Sequence, residues 1–212
     1  MAEQEQVERW RDWRFGLFVH WGLYSLAARH EWVMNREKLT DAEYRPYLEN
    51  FSPDLYDPGT WLDAAAAAGM RYTVLTTKHH EGFALWDSAH GDFTVGHTPW
   101  GKDLVGPFVE AARQRGMGVG FYHSLIDWHH PDFPADGLHP RRDDSPEELA
   151  ARGGDIAAYR AFLTPRSRNC SPASARSTSC GSTSPTPTAF ATAYAPGAAR
   201  AATTGAQKNC WR

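Results

Sequence analysis

The sequence predicts an α/β fold: an incomplete (β/α)8-like barrel of the TIM type, with only about the first three β/α units present. Two observations carry this expectation. Three apolar runs, Phe15–Trp21, Tyr72–Lys78 and Val119–Ser124, read as β-strands, and each ends in polar and aromatic groups: His20-Trp21, Lys78-His79-His80 and Tyr122-His123-Ser124. Helical segments closed by glycine separate the runs, the alternation that gives right-handed βαβ units and a parallel sheet. Parallel strands whose C-terminal ends carry hydrogen-bonding side chains are how a barrel of this kind assembles a site.

Taken in order, Glu3–Trp13 is a short amphipathic helix leading into the first strand. Leu23–Pro53 is a long connection rich in charged and aromatic residues, of the kind that carries function in barrels. Asp57-Pro58 reads as an N-cap with proline at the first helical position. Trp61, Leu62 and the alanine run 64–68 propagate that helix, and Gly69 stops it. The β-branched run Tyr72–Thr77 follows as a buried strand. The unit then repeats: a helix over Pro107–Arg115, closed by Gly116, precedes the third strand, and "AAGM" and "QRGM" are the same helix-to-strand turn. Ser145-x-x-Glu148 has capping-box form and opens a third helix toward Tyr159 and Phe162.

The residues that carry chemistry sit after these strands. His20-Trp21-Gly22 by itself also fits a core histidine and tryptophan before a turn. The tandem His79-His80 is harder to read as core. Adjacent strand residues face opposite ways, so two histidines share a pocket only where the strand is ending. With Glu81 and Gly82 next to them they could bind a metal or hydroxyl groups. Glu31-Trp32 lies in the long first connection. Carboxylate, imidazole and indole together suit a sugar: polar groups take the ring hydroxyls and an aromatic face takes the apolar C–H side. Asp127-Trp128-His129-His130-Pro131 reads as a loop fixed by proline with Trp128 as its anchor. Trp10, Trp13, Trp61 and Trp100 read as packing residues.

Composition breaks at residue 165. Six of the 22 basic residues and none of the 25 acidic ones lie in 165–212, so the preceding body carries 16 against 25, a net −9. An acidic body argues against nucleic acid as a partner. The stretch 165–212 has no Leu, Ile, Val or Met and is dominated by Ser, Thr, Ala, Pro and Gly, which reads as a low-complexity, disordered tail after an N-terminal domain over 1–164. All three cysteines (Cys170, Cys180 and Cys210) fall in that tail while all ten histidines precede it, so no zinc or disulfide framework is expected. No apolar run is long enough to cross a membrane and Met1–Arg14 is polar, so the expectation is a cytoplasmic protein.

The motifs "RFGLFVHWGLYS", "EW", "TTKHHEGFALWDS" and "FYHSLIDWHHPDF", in this order across roughly residues 10–163, resemble the family-29 glycoside hydrolases, the retaining α-L-fucosidases. The resemblance implies a (β/α)8-like barrel, a terminal α-L-fucoside on a glycan or small aglycone as substrate, and no metal or organic cofactor. It implies that His20 binds a fucose hydroxyl, that Glu31 and Trp32 hold a hydroxyl edge, and that His79 and His80 contact the terminal sugar. Tyr122 would lie near the anomeric centre, and His123 stands where many members have a second tyrosine. Retaining hydrolysis needs two carboxyl groups about 5–5.5 Å apart. The family's nucleophile is an Asp on the fourth strand in a "WFDF"-like motif, and none follows Phe162 here. Read in a neighbouring frame with suitable codons, Asn169–Thr188 can encode ELLTGFGKVDVLWFDFSYPD and Thr203–Trp211 can encode DDWRSEELL. The expectation is therefore a frameshift near Thr164-Pro165, with no catalytic residue left in this chain and no activity of its own. Three other readings stand beside it: a non-catalytic fucose-binding remnant, a metal-dependent barrel hydrolase built on His20, His79 and His80, and a nonfunctional translation product.

Overall fold

The computed structural model describes residues 3–169 and 188–191. Helix α1 (Glu3–Trp13) leads into strand β1 (Gly16–Val19). A 3₁₀ turn (Leu23–Ala27), α2 (Val33–Arg36), α3 (Asp41–Glu49) and α4 (Pro58–Ala67) precede β2 (Tyr72–Lys78). Helix α5 (Val105–Gln114) connects β2 to β3 (Gly118–His123); α6 (Pro146–Arg152), α7 (Ile156–Asn169) and β4 (Thr188–Ala191) follow. The four strands form one parallel sheet in the order β1-β2-β3-β4. The result is an α/β fold with a small parallel sheet.

Local chemistry accounts for most boundaries. Asp57 caps α4, its Oδ1 accepting from Gly59 N at 2.9 Å and Thr60 N at 3.3 Å, with Pro58 at the first helical position. Helix α5 begins two residues earlier than its proline suggests. The Asp103 carboxylate accepts from Val105 N at 2.9 Å and Gly106 N at 3.0 Å, so capping starts upstream of Pro107. The expected third helix is two helices. Ser145 caps α6 through the capping box with Glu148, but Gly153 and Gly154 both take positive φ and end it. Asp155 then accepts from Ala157 N at 2.8 Å as α7 begins.

Three further differences from the sequence reading matter. The connection after β1 is largely helical, and α3 is opened by a Thr40–Glu43 capping box inside the charged segment. Helix α7 runs through Pro165 to Asn169 with Arg166 buried, so the composition break at 165 does not coincide with the end of the helix. A fourth strand, Thr188–Ala191, pairs with 119–122 of β3, where the sequence shows only three. The cysteines, the disorder expected of the tail and most of the span of the alternate frame lie outside the described residues.

Strand β2 lies between β1 and β3 and is buried from Thr73 to Lys78, both faces being covered. Leu62 and Ala65 of α4 and Phe108, Val109 and Ala112 of α5 join Leu75, Val119 and Phe121 in one core. Below the sheet, the Trp13 ring stacks on Tyr72 at 6.1 Å and lies directly over Gly118, where a Cβ would occupy the indole position. Of the four tryptophans read as packing residues, Trp61 stands edge-on to Trp21 and Trp100 packs on the core, whereas Trp10 is half exposed.

Candidate active site

Strand β1 stops at Val19 and β2 at Lys78, so His20, His79 and His80 stand just past two neighbouring strand ends, with Tyr122 near the end of the third. Their rings gather: His20 is 5.5 Å from His79 and 5.8 Å from Tyr122, and His79 is 6.0 Å from Tyr122 and 4.1 Å from His80. The two adjacent histidines share one pocket because Gly82 N donates to His79 O at 3.2 Å and folds the chain into a turn as the strand ends. That turn requires glycine: Gly82 has φ +96°, and a Cβ there would run into the Asp127 carboxylate.

The long first connection supplies the rest. Trp32 stands edge-on to His80 at 5.0 Å and to Trp128 at 5.4 Å. Trp128 is fully buried, which fits its reading as the anchor of its loop. Glu31 lines a cleft of about 220 Å³ with His20, Tyr24, Ser25, Arg29 and His30. The structure thus brings His20, His79, His80, Tyr122 and Trp32 into one cluster and places Glu31 in the cleft beside His20. His123 is fully buried, its ring 5.6 Å from Trp86, and neither ring nitrogen has a hydrogen-bond partner among the described residues.

Electrostatics keep the imidazoles neutral. Burial, and then the charge His20 would carry, push the His79 pKa down to about 3; burial and His79 push His80 down to about 2. Desolvation lowers His20 as well, against the opposing pull of Glu31 and Glu81. Burial raises the Tyr122 phenol to about 12 and the Glu81 carboxyl to about 8. At neutral pH the cluster therefore presents neutral donors and acceptors, suited to hydroxyl groups rather than to a charged ligand.

A charged network lies under the turn, and the sequence reading missed it. Lys78 is fully buried; its Nζ donates to Ile126 O at 2.8 Å and Ser124 O at 3.2 Å and lies 3.3 Å from Asp127 Oδ2. Arg166 Nη1 reaches the same oxygen at 3.2 Å, and its Nη2 donates to Gly82 O at 3.0 Å. Burial opposes the Asp127 charge, but Lys78 and Arg166 hold its pKa below the usual carboxylate range. His80 Nδ1 is 2.6 Å from the Ser124 hydroxyl, which also accepts from Ile126 N. The segment after β3 is thereby bolted to the end of β2. An apolar run ending in Lys78 and an Asp127 four residues past His123 were the only hints. Among the described residues, no group of three or more His, Cys, Asp and Glu side chains is gathered as a metal would require, so the geometry gives no support to a metal centre on His20, His79 and His80.

Neutral imidazoles, a phenol and an indole at three neighbouring ends of a parallel sheet form the kind of site in which α/β enzymes receive a polar small molecule. The family model for α-L-fucosidase matches residues 1–169, and the chain belongs to that family. Tissue α-L-fucosidase of Rattus norvegicus is 36% identical over 147 residues, which covers 61% of this chain and 32% of that protein. The Homo sapiens tissue enzyme is 37% identical over 138 residues, 56% of this chain and 29% of its own length. Among solved structures, α-L-fucosidase isoenzyme 1 from Paenibacillus thiaminolyticus is 45% identical with a TM-score of 0.73, covering 77% of this chain and 39% of that one. The Lactobacillus casei enzyme AlfC, in complex with its α-L-fucose product, is 26% identical with a TM-score of 0.69, covering 78% and 58%. The chain thus spans about a third of the length of these curated relatives. No helix among the described residues is long and apolar enough to cross a membrane.

Proposed function

We propose that this chain is the sugar-binding, N-terminal portion of the barrel of a retaining α-L-fucosidase. His20, Glu31, Trp32, His79, His80 and Tyr122 hold the terminal α-L-fucosyl group of a glycan or small fucoside. The observation that supports this best is the convergence of neutral rings from three adjacent strand ends, with neighbouring rings 4.1–6.5 Å apart, beside the Glu31 cleft. Neutral imidazoles exchange hydrogen bonds with ring hydroxyls, and the indole and phenol offer apolar faces to the sugar's C–H bonds.

Turnover is a separate matter. Double displacement needs a nucleophilic carboxylate and an acid/base about 5–5.5 Å apart. On this reading neither is supplied by this chain, which binds fucose without hydrolysing fucosides; the parent gene encodes both in the frame left near Thr164-Pro165. Two measurements test this together. The chain is titrated with α-L-fucose by calorimetry and assayed with an aryl α-L-fucoside, and the DNA across the codons for residues 159–212 is resequenced. Binding that His79→Ala and Trp32→Ala weaken at least tenfold, with no release of the aryl group, supports the proposal. Hydrolysis by the purified chain overturns the assignment of the missing carboxylates. Absence of fucose binding in a folded chain overturns the sugar site. A confirmed recorded frame, with codons that forbid the alternate reading, removes the frameshift.

A further inference from the structure

Glu81 carries no role in the site described above, yet its carboxyl group is buried against His79. The turn that ends β2 explains the approach. With Gly82 N closing on His79 O, the residue two places after His79 is folded back onto it, and Glu81 Oε2 lies 3.5 Å from His79 Nδ1. Both side chains are 2% exposed, and among the described residues each of these two atoms is buried with no hydrogen-bond partner. Each of these buried atoms is the nearest available partner for the other, and leaving either unpaired is costly. The other nitrogen of the ring, Nε2, is the one that remains for a ligand.

We infer that Glu81 is a positioning residue for sugar recognition: its carboxyl group sets the tautomer of His79, and so decides whether Nε2 offers the sugar a proton or a lone pair. The inference rests on the proposal that His79 contacts the sugar. The groups around the pair favour such a role. Burial holds the Glu81 proton, against the pull of Lys78 and His20 and with the help of Asp127. On the His79 side, His20 and Lys78 oppose a positive ring and Glu31 favours one, burial being the largest influence. The phenols of Tyr24 and Tyr44, both buried, are held neutral by burial and then by the Glu81 charge, so they do not titrate alongside it.

The chemistry balances with one proton lost. In the acid form, the Glu81 O–H donates to Nδ1 and His79 carries its own proton on Nε2, making Nε2 a donor. When the pair loses a proton to solvent, the remaining one sits on Nδ1 and donates to the carboxylate, and Nε2 becomes an acceptor. A sugar hydroxyl that accepts from His79 in the first state must donate to it in the second.

The test is a nitrogen-15 NMR titration of the histidine rings in the full chain, from about pH 6 to about pH 9.5, with His79→Gln used to identify the His79 signals. The expected result is an exchange of the protonated and unprotonated nitrogens of His79 with a midpoint near 8, coincident with the Glu81 carboxyl carbon, and its loss in Glu81→Gln. Glu81→Gln keeps the size of the side chain; should it fail to fold, the coincidence of the two midpoints in the wild-type chain decides. A His79 tautomer that is constant over this range, or an exchange that persists in Glu81→Gln, overturns the inference. Adding α-L-fucose separates the two claims. Exchange without any fucose-induced change at His79 overturns the link to sugar recognition while leaving the Glu81–His79 coupling measured.

Discussion

Replacing Asp127 by Asn removes one negative charge from a buried group of two cations and one anion without changing its shape. Asp127 is 1% exposed, Lys78 fully buried and Arg166 3% exposed, so little water reaches the pair that remains. Breaking a buried ion pair from one side costs roughly 3–5 kcal/mol, a large part of the 5–15 kcal/mol that a typical domain has. Lys78→Met is the matched control. It leaves Asp127 paired with Arg166 and exposes only the two carbonyls of Ser124 and Ile126 that Nζ had satisfied, a loss of about 1–3 kcal/mol. The pH dependence separates the two variants further. Burial already lowers the Lys78 pKa to about 8, and without Asp127 it falls further. A native pKa below the unfolded value of 10.5 means that the unfolded chain binds more protons in between, so stability rises with pH. The Asp127→Asn deficit should therefore shrink as pH rises above 7, whereas that of Lys78→Met should not. Urea melts followed by the fluorescence of buried Trp86 and Trp128 report both. An Asp127→Asn loss under about 1 kcal/mol, a loss equal to that of Lys78→Met, or a deficit that grows with pH would refute the reasoning.

Glu81 gives the opposite pH signature: its folded pKa of about 8 lies above the unfolded 4.5, so its share of stability is full below 4.5 and is lost as pH rises through 8. Urea melts across that window should slope downward in the wild-type chain, by at most about 1.4 kcal/mol per pH unit from this group, and flatten in Glu81→Gln. Gly82→Ala should cost more than about 1 kcal/mol and weaken fucose binding, because φ +96° and the Asp127 carboxylate both oppose a Cβ; calorimetric melting and a fucose titration check it. Ser145→Ala, at the exposed end of α6, should cost about 0.5–2 kcal/mol in urea melts and leave fucose binding unchanged, since it removes a helix cap far in sequence from the ring cluster.

What was legible in the sequence was whatever depends on local periodicity. Strands running up to His20, His79-His80 and Tyr122, the Asp57-Pro58 cap and the Ser145–Glu148 box can all be read from a few neighbouring residues, and all are present, with β2 and β3 buried and β1 only partly so. The Thr40–Glu43 box was equally local but sat in a stretch whose charge and aromatics masked it. The split between α6 and α7 was written in Gly153-Gly154, and the capping signal upstream outweighed it. The Lys78–Asp127–Arg166 network was not legible at all. It joins residues 49 and 39 positions apart, and a lysine at the end of an apolar run ordinarily reaches solvent. Only the tertiary fold makes burial of its charge tolerable, by bringing a carboxylate and two carbonyls to it.

That network also bears on how much of the site this small parallel sheet can hold. The groups that fix the His79–Gly82 turn, namely Lys78, Asp127, Ser124 and Arg166, all come from β2, the segment after β3 and α7, within one stretch that the family model covers. Four of the exposed apolar side chains lie on α1 and at β1, an edge of the described sheet: Val7, Trp10, Phe15 and Phe18, the last with its ring stacked on His20 at 4.9 Å. An open edge weakens β1 and invites association with other chains; around His79 and His80 it reaches the ring contact of His20 with His79 and leaves the network under the turn in place. His20, which follows β1, is the exposed member of the cluster and depends on that edge. Fucose binding by this chain should therefore rely on His79, His80 and Trp32 more than on His20, and His20→Ala should weaken binding less than His79→Ala in the same calorimetric titration. Equal losses would mean that the β1 edge is held as firmly as the centre of the sheet.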